Sequence, residues 1–399
     1  MSQVVFYGMP IFAHTIQTFP LVKELVDKGE NVIYYSNKRF EDAIKKTGAE
    51  FREYLQEYEN DPSEIIWGIH KFMPKVRDII IAESENLKVI KPDYIIYDYL
   101  AVWGAVLAQI LKLPSVVLHS SIMINRKVSK MQPRLKRLRM IAGKPHLIPH
   151  ALNMFKANYT LFQVKREFSY RGNYSPASDA DLVIVNTSRE FQPYPETFDD
   201  RHRFIGWLPT HEYRKQDKSF SMNVSEDEKL VYISLGTTFN RNRKFYTQCF
   251  TAFRDLDCKV LISTGGGHHL SFPRQVPDNF ILADWVPQLD ILELADVFVT
   301  QGGTSSVSES LNYGCPVVVV PQSAEQPFIG YWVEQLEVGK NIESGKFSAS
   351  ELRSAVDSLL ADPQYRKNCL RISKTFKDAG GVKYGVEEIF KLKDQFRSA

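Results

Sequence analysis

Apolar positions along the chain follow two alternating rhythms. Short β-branched or aromatic runs stand at residues 4–7, 31–35, 94–97, 115–118 and Leu182–Val185. Between them lie stretches in which apolar residues return every three or four positions. The short runs predict strands and the longer stretches helices, because the side-chain period is 2 on a strand and about 3.6 on a helix. After the first run, Ile16, Phe19, Val22, Leu25 and Val26 mark one helical face, and Gly29 stops it. A longer polar and helical stretch covers 62–87, and Val102–Leu111 reads as a helix between two strands. Strands alternating with helices imply a parallel, doubly wound sheet.

The rhythm breaks over 207–229, where Pro209, His211, Arg214, Lys215, Asp217, Lys218, Ser225, Glu226 and Asp227 follow no period. Such a stretch reads as an interdomain linker. A second series opens with Leu230–Ser234 and continues with strands near 260–263, Phe280–Ala283, Val297–Thr300 and 317–320. A final helix over 382–396 follows Gly380 and Gly381. The predicted fold class is α/β, with two Rossmann-like lobes facing across a cleft. The lobes cover 1–206 and 230–381, and a C-terminal helix in 382–399 is placed to return to the first lobe. Ligands are expected at the carboxyl ends of the strands.

Composition narrows the function by exclusion. The 399 residues are 44% hydrophobic and 24% charged, which excludes a disordered or collagen-like chain. Fifty Lys and Arg against 47 Asp and Glu leave a net charge of +3, no electrostatic footprint for nucleic acid. Cys249, Cys258, Cys315 and Cys369 lie far apart without a CxxC pair, so neither a zinc site nor a disulfide framework is expected. A reduced, cytoplasmic compartment follows as the simpler expectation. The apolar run 94–118 carries Asp98, Gln109, Lys112 and Pro114, so it reads as buried strand, helix and strand rather than a membrane insertion. The start of the chain shows no basic region and no signal core.

Three loops carry candidate chemistry in the second series. Thr300, Gln301, Gly302, Gly303, Thr304, Ser305, Ser306, Val307, Ser308 and Glu309 run from a strand into a helix. Glycines allow a tight turn there, and the helix N-terminus suits a phosphate. The competing reading is a capping box, with Ser306 as N-cap and Glu309 at N3. Trp285, fixed by Pro287, is placed to stack on a nucleobase, with Gln288 beside it. Glu325 and Gln326 offer a carboxylate and an amide for sugar hydroxyls, and Thr237 follows Gly236 in another phosphate-type loop. In the first series, His14 follows the first strand and Asp98 ends a later one. An acceptor hydroxyl needs such a base, and a carboxylate on the far ring nitrogen fixes the tautomer. Taken singly, His14 reads as loop decoration and Asp98 as a helix cap. His268 and His269 are adjacent on a glycine loop without a carboxylate cluster, so no metal is expected. Arg134, Lys136, Arg137 and Arg139 read as a solvated helix face. Residues 123–174 mix Met, Phe, Tyr and Leu and read as core or, by the family resemblance given below, as an acceptor pocket.

Taken together, these segments resemble the family 1 UDP-sugar glycosyltransferases, in particular their bacterial macrolide-glycosyltransferase-like branch. The resemblance runs over essentially the whole chain and is most specific from Trp285 to Gln326. It implies the two-lobed GT-B architecture. It further implies that Trp285 stacks on uracil beside Gln288, that Glu309 binds the ribose, and that Gly303, Thr304, Ser305 and Ser306 take the diphosphate with Thr237. Glu325 and Gln326 then hold the sugar, His14 is the catalytic base, and Asp98 orients it. Two positions depart from the family pattern, Gln301 in place of His and Ser305 in place of Asn. The resemblance implies an inverting hexosyltransferase that moves a sugar, glucose by expectation, from a UDP-sugar to a hydroxyl of an apolar small molecule such as a macrolide, flavonoid or other phenolic. The UDP-sugar is a co-substrate, and no cofactor, metal, nucleic acid or stable membrane insertion is expected. The alternative is a non-catalytic sugar-nucleotide-binding partner of another transferase. An epimerase needs further acid and base groups, and a nicotinamide enzyme needs a GxGxxG where only Gly8 stands.

Overall fold

A computed structural model describes residues 2–54, 69–131, 162–163, 166–168, 179–214, 220, 222, 225, 228–236, 240–266, 276–322, 326–343 and 347–398. The chain divides into two units, Met1–Arg214 with Asp378–Ala399, and Lys215–Lys377. The break falls inside the polar stretch. Leu208 and Thr210 are buried, and the Tyr213 ring lies 5.4 Å from that of Phe19, which ties 207–214 to the first unit.

The first unit holds seven strands: β1 (Gln3–Tyr7), β2 (Asn31–Ser36), β3 (Glu50–Glu53), β4 (Tyr94–Asp98), β5 (Ser115–His119), β6 (Leu182–Val185) and β7 (His202–Phe204). They form one sheet in the order β3-β2-β1-β4-β5-β6-β7, every pair parallel. Its helices are α1 (Phe12–Asp27), α2 (Glu41–Lys46), α3 (Ile69–Ile90) and α4 (Val102–Leu111). In the second unit β8 (Leu230–Ser234), β9 (Lys259–Ser263), β10 (Phe280–Ala283), β11 (Val297–Thr300), β12 (Val317–Val319) and β13 (Gly339–Asn341) pair in the order β10-β9-β8-β11-β12-β13, again all parallel. Its helices are α5 (Arg243–Phe253), α6 (Gln288–Leu294), α7 (Thr304–Asn312), α8 (Gln326–Gln335), α9 (Ala349–Ala361) and α10 (Pro363–Asp378), and α11 (Gly381–Ser398) closes the chain.

Central strands are apolar on both faces because helices cover both sides of a parallel sheet. In the first unit Val5, Tyr7, Ile95, Tyr97 and Val183 feed one core with Trp103 of α4 and Ile80 of α3. Their neighbours Val4, Phe6, Ile96 and Ile184 feed the other with Phe19 of α1 and Val386 of α11. Gly385 allows close approach there, since a Cβ on it would lie 3.3 Å from both Ile205 and Leu21. Ion pairs fix the same helix: Lys393 to Glu30 at 2.9 Å, Arg397 to Asp93 at 3.1 Å, and Glu388 to Arg203.

Three strands have no apolar run to announce them, Glu50–Glu53, His202–Phe204 and Gly339–Asn341. All three lie at sheet edges. An edge strand needs little apolar surface, and charged side chains there discourage further pairing.

Each sheet has one place where the strand order reverses, β1/β4 in the first and β8/β11 in the second. Chain connections leave in opposite directions at such a point and open a crevice outside the carboxyl ends.

Candidate active site

In the first unit the reversal brings the β1–α1 loop beside the end of β4. Tyr7 pairs with Tyr97, so the residues just beyond, Gly8 and Asp98, are neighbours at the sheet edge. Thr15 Oγ1 donates to the Met9 carbonyl at 2.7 Å and Tyr54 Oη to that of Gly8 at 2.9 Å, which shapes the loop. His14, in the first turn of α1, places Nδ1 at 3.0 and 3.2 Å from the two Asp98 oxygens. The carboxylate only accepts, so Nδ1 carries the proton and donates. Asp98 is fully buried and also accepts from the Leu100 N–H at 2.9 Å. The His14 side chain keeps 16% exposure. Its Nε2 forms no hydrogen bond among the described residues, which leaves that atom to take a proton.

Sequence reasoning missed the surroundings of this pair. Ser120 Oγ, one residue beyond β5, lies 3.5 Å from His14 Nδ1. The Tyr99 ring is 5.3 Å from the His14 ring and stacks on His119 at 4.2 Å. His119 Nδ1 donates to the Ser121 carbonyl at 2.8 Å, and burial pushes its pKa down to about 4. The signal was present in the strand register, since Asp98 pairs with Leu118, next to His119.

In the second unit the reversal sets Ser234 opposite Thr300, so Gly236 and Gly302 stand two residues beyond on adjacent loops. Gly302 takes a φ of +88°, and a Cβ there would lie 2.4 Å from Val319 Cγ1 and 3.5 Å from the Gln326 carbonyl oxygen. Only glycine fits. Gln301 is 9% exposed, with Nε2 3.0 Å from where a Gly236 Cβ would stand. Its Oε1 is buried and has no hydrogen-bond partner among the described residues. The N-cap of α7 is Gly303, without a side-chain cap. The capping box with Ser306 as N-cap is therefore corrected: Thr304, Ser305 and Ser306 already lie in the helical first turn. There the first amides have no intrahelical acceptor, the arrangement that suits an anion.

Glu309 is not turned back to that terminus. Its Oε2 accepts from Gln288 Nε2 at 2.6 Å, and Gln288 Oε1 accepts from Tyr232 Oη at 3.2 Å. Trp285 is 52% exposed, with its indole edge 3.3 Å from where a Gly266 Cβ would stand. Asp284 braces this loop by accepting from Thr264 Oγ1 at 2.9 Å. Gln326 Oε1 accepts from the Gln322 N–H at 2.7 Å, and Gln322 Oε1 from Asn242 Nδ2 at 2.6 Å, which pins the β12–α8 loop to the start of α5. The sheet edge thus gathers Gln301, Gly303 and Gln326 around Gly302, with the Gln288–Glu309 pair linking α6 to α7 and Trp285 in the loop before α6. Thr237 and Glu325 lie outside the described residues, as do His268, His269, the basic stretch 134–139 and most of 123–174.

The four cysteines are unpaired, and burial pushes their thiols up, Cys258 to about 11. Among the described residues, no three His, Cys, Asp or Glu side chains cluster as a metal site and no helix is long and apolar enough to cross a membrane.

Two parallel sheets of Rossmann type, with a His–Asp pair beyond one and a glycine-built helix N-terminus beyond the other, give the fold class of GT-B glycosyltransferases. The solved glycotransferase of kitacinnamycin shares the fold, with a TM-score of 0.81 at 24% identity over 98% of this chain and 99% of that one. The family model described as UDP-glucoronosyl and UDP-glucosyl transferase matches residues 146–381. The chain is 31% identical to an uncharacterized UDP-glucosyltransferase, YojK, of Bacillus subtilis over 100% of both chains. It is 33% identical to the NDP-glycosyltransferase YjiC of Bacillus licheniformis over 97% of both. Identity to the oleandomycin glycosyltransferase of Streptomyces antibioticus is 23%, over 97% of this chain and 90% of that one. The chain belongs to the UDP-glucuronosyl and UDP-glucosyl transferase family. It is a glycosyltransferase, with a nucleotide-sugar donor and a small-molecule acceptor, rather than a non-catalytic binding partner.

Proposed function

We propose that this enzyme moves glucose from UDP-glucose to a hydroxyl of an apolar small molecule, a macrolide, flavonoid or other phenolic, with inversion at the anomeric carbon. The observation that carries the reading is the His14 Nδ1–Asp98 contact of 3.0 Å with Nε2 left free of hydrogen bonds among the described residues. Nε2 takes the acceptor proton as the hydroxyl oxygen bonds to the anomeric carbon and the bond to UDP breaks. Asp98 holds the tautomer and stabilises the imidazolium that forms. The transition state is oxocarbenium-like. Charge developing on the departing diphosphate meets the α7 amides at Gly303–Ser306 and the Gln301 amide, so the reading needs no metal.

Trp285, half exposed, offers its face to the base, beside Gln288. Glu309, which accepts from Gln288, binds the ribose hydroxyls, and Glu325 and Gln326 hold the sugar. The four unpaired cysteines agree with a reduced cytoplasmic setting. A mass-spectrometric screen of UDP-sugars against phenols, flavonoids and macrolides tests the proposal. The expected result is a hexosylated product from UDP-glucose. Transfer of a different sugar alone, or only to polar acceptors, overturns the corresponding part.

A further inference from the structure

Three rings meet where β4 and β5 end. Tyr99 directly follows Asp98, and its ring stacks on His119 at a centroid distance of 4.2 Å and an angle of 19°. The same ring lies 5.3 Å from His14, tilted by 32°. Tyr99 and His119 are both anchored. Tyr99 N–H donates to the Leu118 carbonyl at 3.1 Å, and the Ala101 N–H to that of Asp98 at 2.8 Å, so the turn carrying Tyr99 is fixed. His119 Nδ1 donates to the Ser121 carbonyl at 2.8 Å, which sets its tautomer, and its low pKa, about 4, keeps it an uncharged stacking surface at neutral pH.

His14 is less constrained on its own. Asp98 and the more distant Ser120 hydroxyl both sit at Nδ1. A hydrogen bond at Nδ1 tolerates a spread of distances and angles, so small rotations of the ring, which shift Nε2, stay open. A packed aromatic face removes that freedom, because ring pairs favour a restricted set of tilts and separations.

We infer that Tyr99, held by its stack on His119, is a positioning residue that fixes the plane of the His14 imidazole. The inference rests on the reading of His14 as the base. Its consequence is selective: an acidic phenol ionises with little help, whereas a weakly acidic hydroxyl depends on a well-placed Nε2.

The test measures kcat and KM of the full chain with UDP-glucose and a series of phenols graded in acidity from 4-nitrophenol to 4-methylphenol. Wild type is compared with Tyr99→Phe, which keeps the ring, and Tyr99→Leu, which removes it. Tyr99→Met replaces the leucine variant if that one fails to fold. Tyr99→Phe should match wild type. Tyr99→Leu should lose about ten- to hundredfold in kcat on 4-methylphenol but little on 4-nitrophenol, with UDP affinity by calorimetry unchanged. An equal fall across the series, or no fall, overturns the positioning role. His14→Ala in the same series separates the two levels. If it keeps full activity on 4-methylphenol, the base assignment fails and the inference with it. If it loses that activity while Tyr99→Leu keeps it, the inference alone fails.

Discussion

At the β1/β4 reversal the working groups are side chains, a buried carboxylate and an imidazole 3.0 Å apart. At the β8/β11 reversal the arrangement is made by residues without side chains, Gly236, Gly302 and Gly303, and by the helix N-terminus they lead into. The same topological device stands in both units, and on the proposed reading the material differs because the tasks differ. Moving a proton requires a titratable atom at a fixed distance from its partner. Holding a diphosphate requires several donors converging on one place, which backbone supplies best where no Cβ intervenes. Substitutions should therefore act on rate in the first unit and on donor affinity in the second.

The largest expected break of this pattern is Asp98→Asn. The amide would present N–H or oxygen to Nδ1, lose the fixed tautomer, and remove the charge that stabilises the imidazolium. Turnover should fall by about 10²–10⁴-fold, with UDP affinity by calorimetry unchanged. A fall in UDP affinity of similar size would place Asp98 in donor binding instead.

Gly302→Ala comes next and acts in the other unit. It forces a non-glycine residue to φ +88° and puts a Cβ 2.4 Å from Val319. Stability to urea should drop by about 2–4 kcal/mol, and donor affinity with it. Gly29→Ala is the control. It has φ +90° but nothing within 4 Å of the new Cβ, so strain alone applies, about 1–2 kcal/mol. Equal costs at both sites would mean that the Val319 contact is absorbed.

Acid should weaken the first unit through His119. Its folded pKa of about 4 lies below the ordinary value of 6.5, so the unfolded chain binds the proton more readily. Its stabilising contribution is complete above pH 6.5 and is lost as pH falls toward 4, by roughly 3 kcal/mol. Urea midpoints across that range should show this limb in wild type and a shallower one in His119→Phe. Identical limbs would show that His119 titrates normally.

The smallest effect is expected at Gln301. A histidine there, if protonated, gives a charge-assisted bond to the diphosphate in place of a neutral amide worth about 1 kcal/mol. Gln301→His should tighten UDP-sugar binding by a factor of several. Equal or weaker binding by calorimetry would show that the loop around Gly236 already fits glutamine.

Much of this arrangement was legible beforehand, and the reason is physical. Strands buried on both faces, such as Tyr94–Asp98 and Val297–Thr300, must be apolar throughout and so stand out in the sequence. Edge strands carry no such demand, and Glu50–Glu53 and Gly339–Asn341 passed unnoticed. At the site, His14 and Asp98 are residue types that suit proton transfer at adjacent loop positions, but singly they read as decoration and a cap, and the family resemblance singled them out. Tyr99, His119 and Ser120 were not singled out, because their role depends on strand register, and a lone tyrosine or serine beyond an apolar run has many uses. The capping reading of Ser306 failed because Gly303 lets the helix begin three residues earlier than its hydroxyls suggested.

The most direct test of the division between the two units is His14→Ala measured in two ways on one preparation. Glucosyl transfer to a weakly acidic hydroxyl is followed by mass spectrometry and UDP binding by calorimetry. The account predicts that transfer is lost by about 10²-fold or more while UDP affinity stays within about twofold of wild type. Retained transfer, or a loss of UDP affinity that matches the loss of rate, would contradict it.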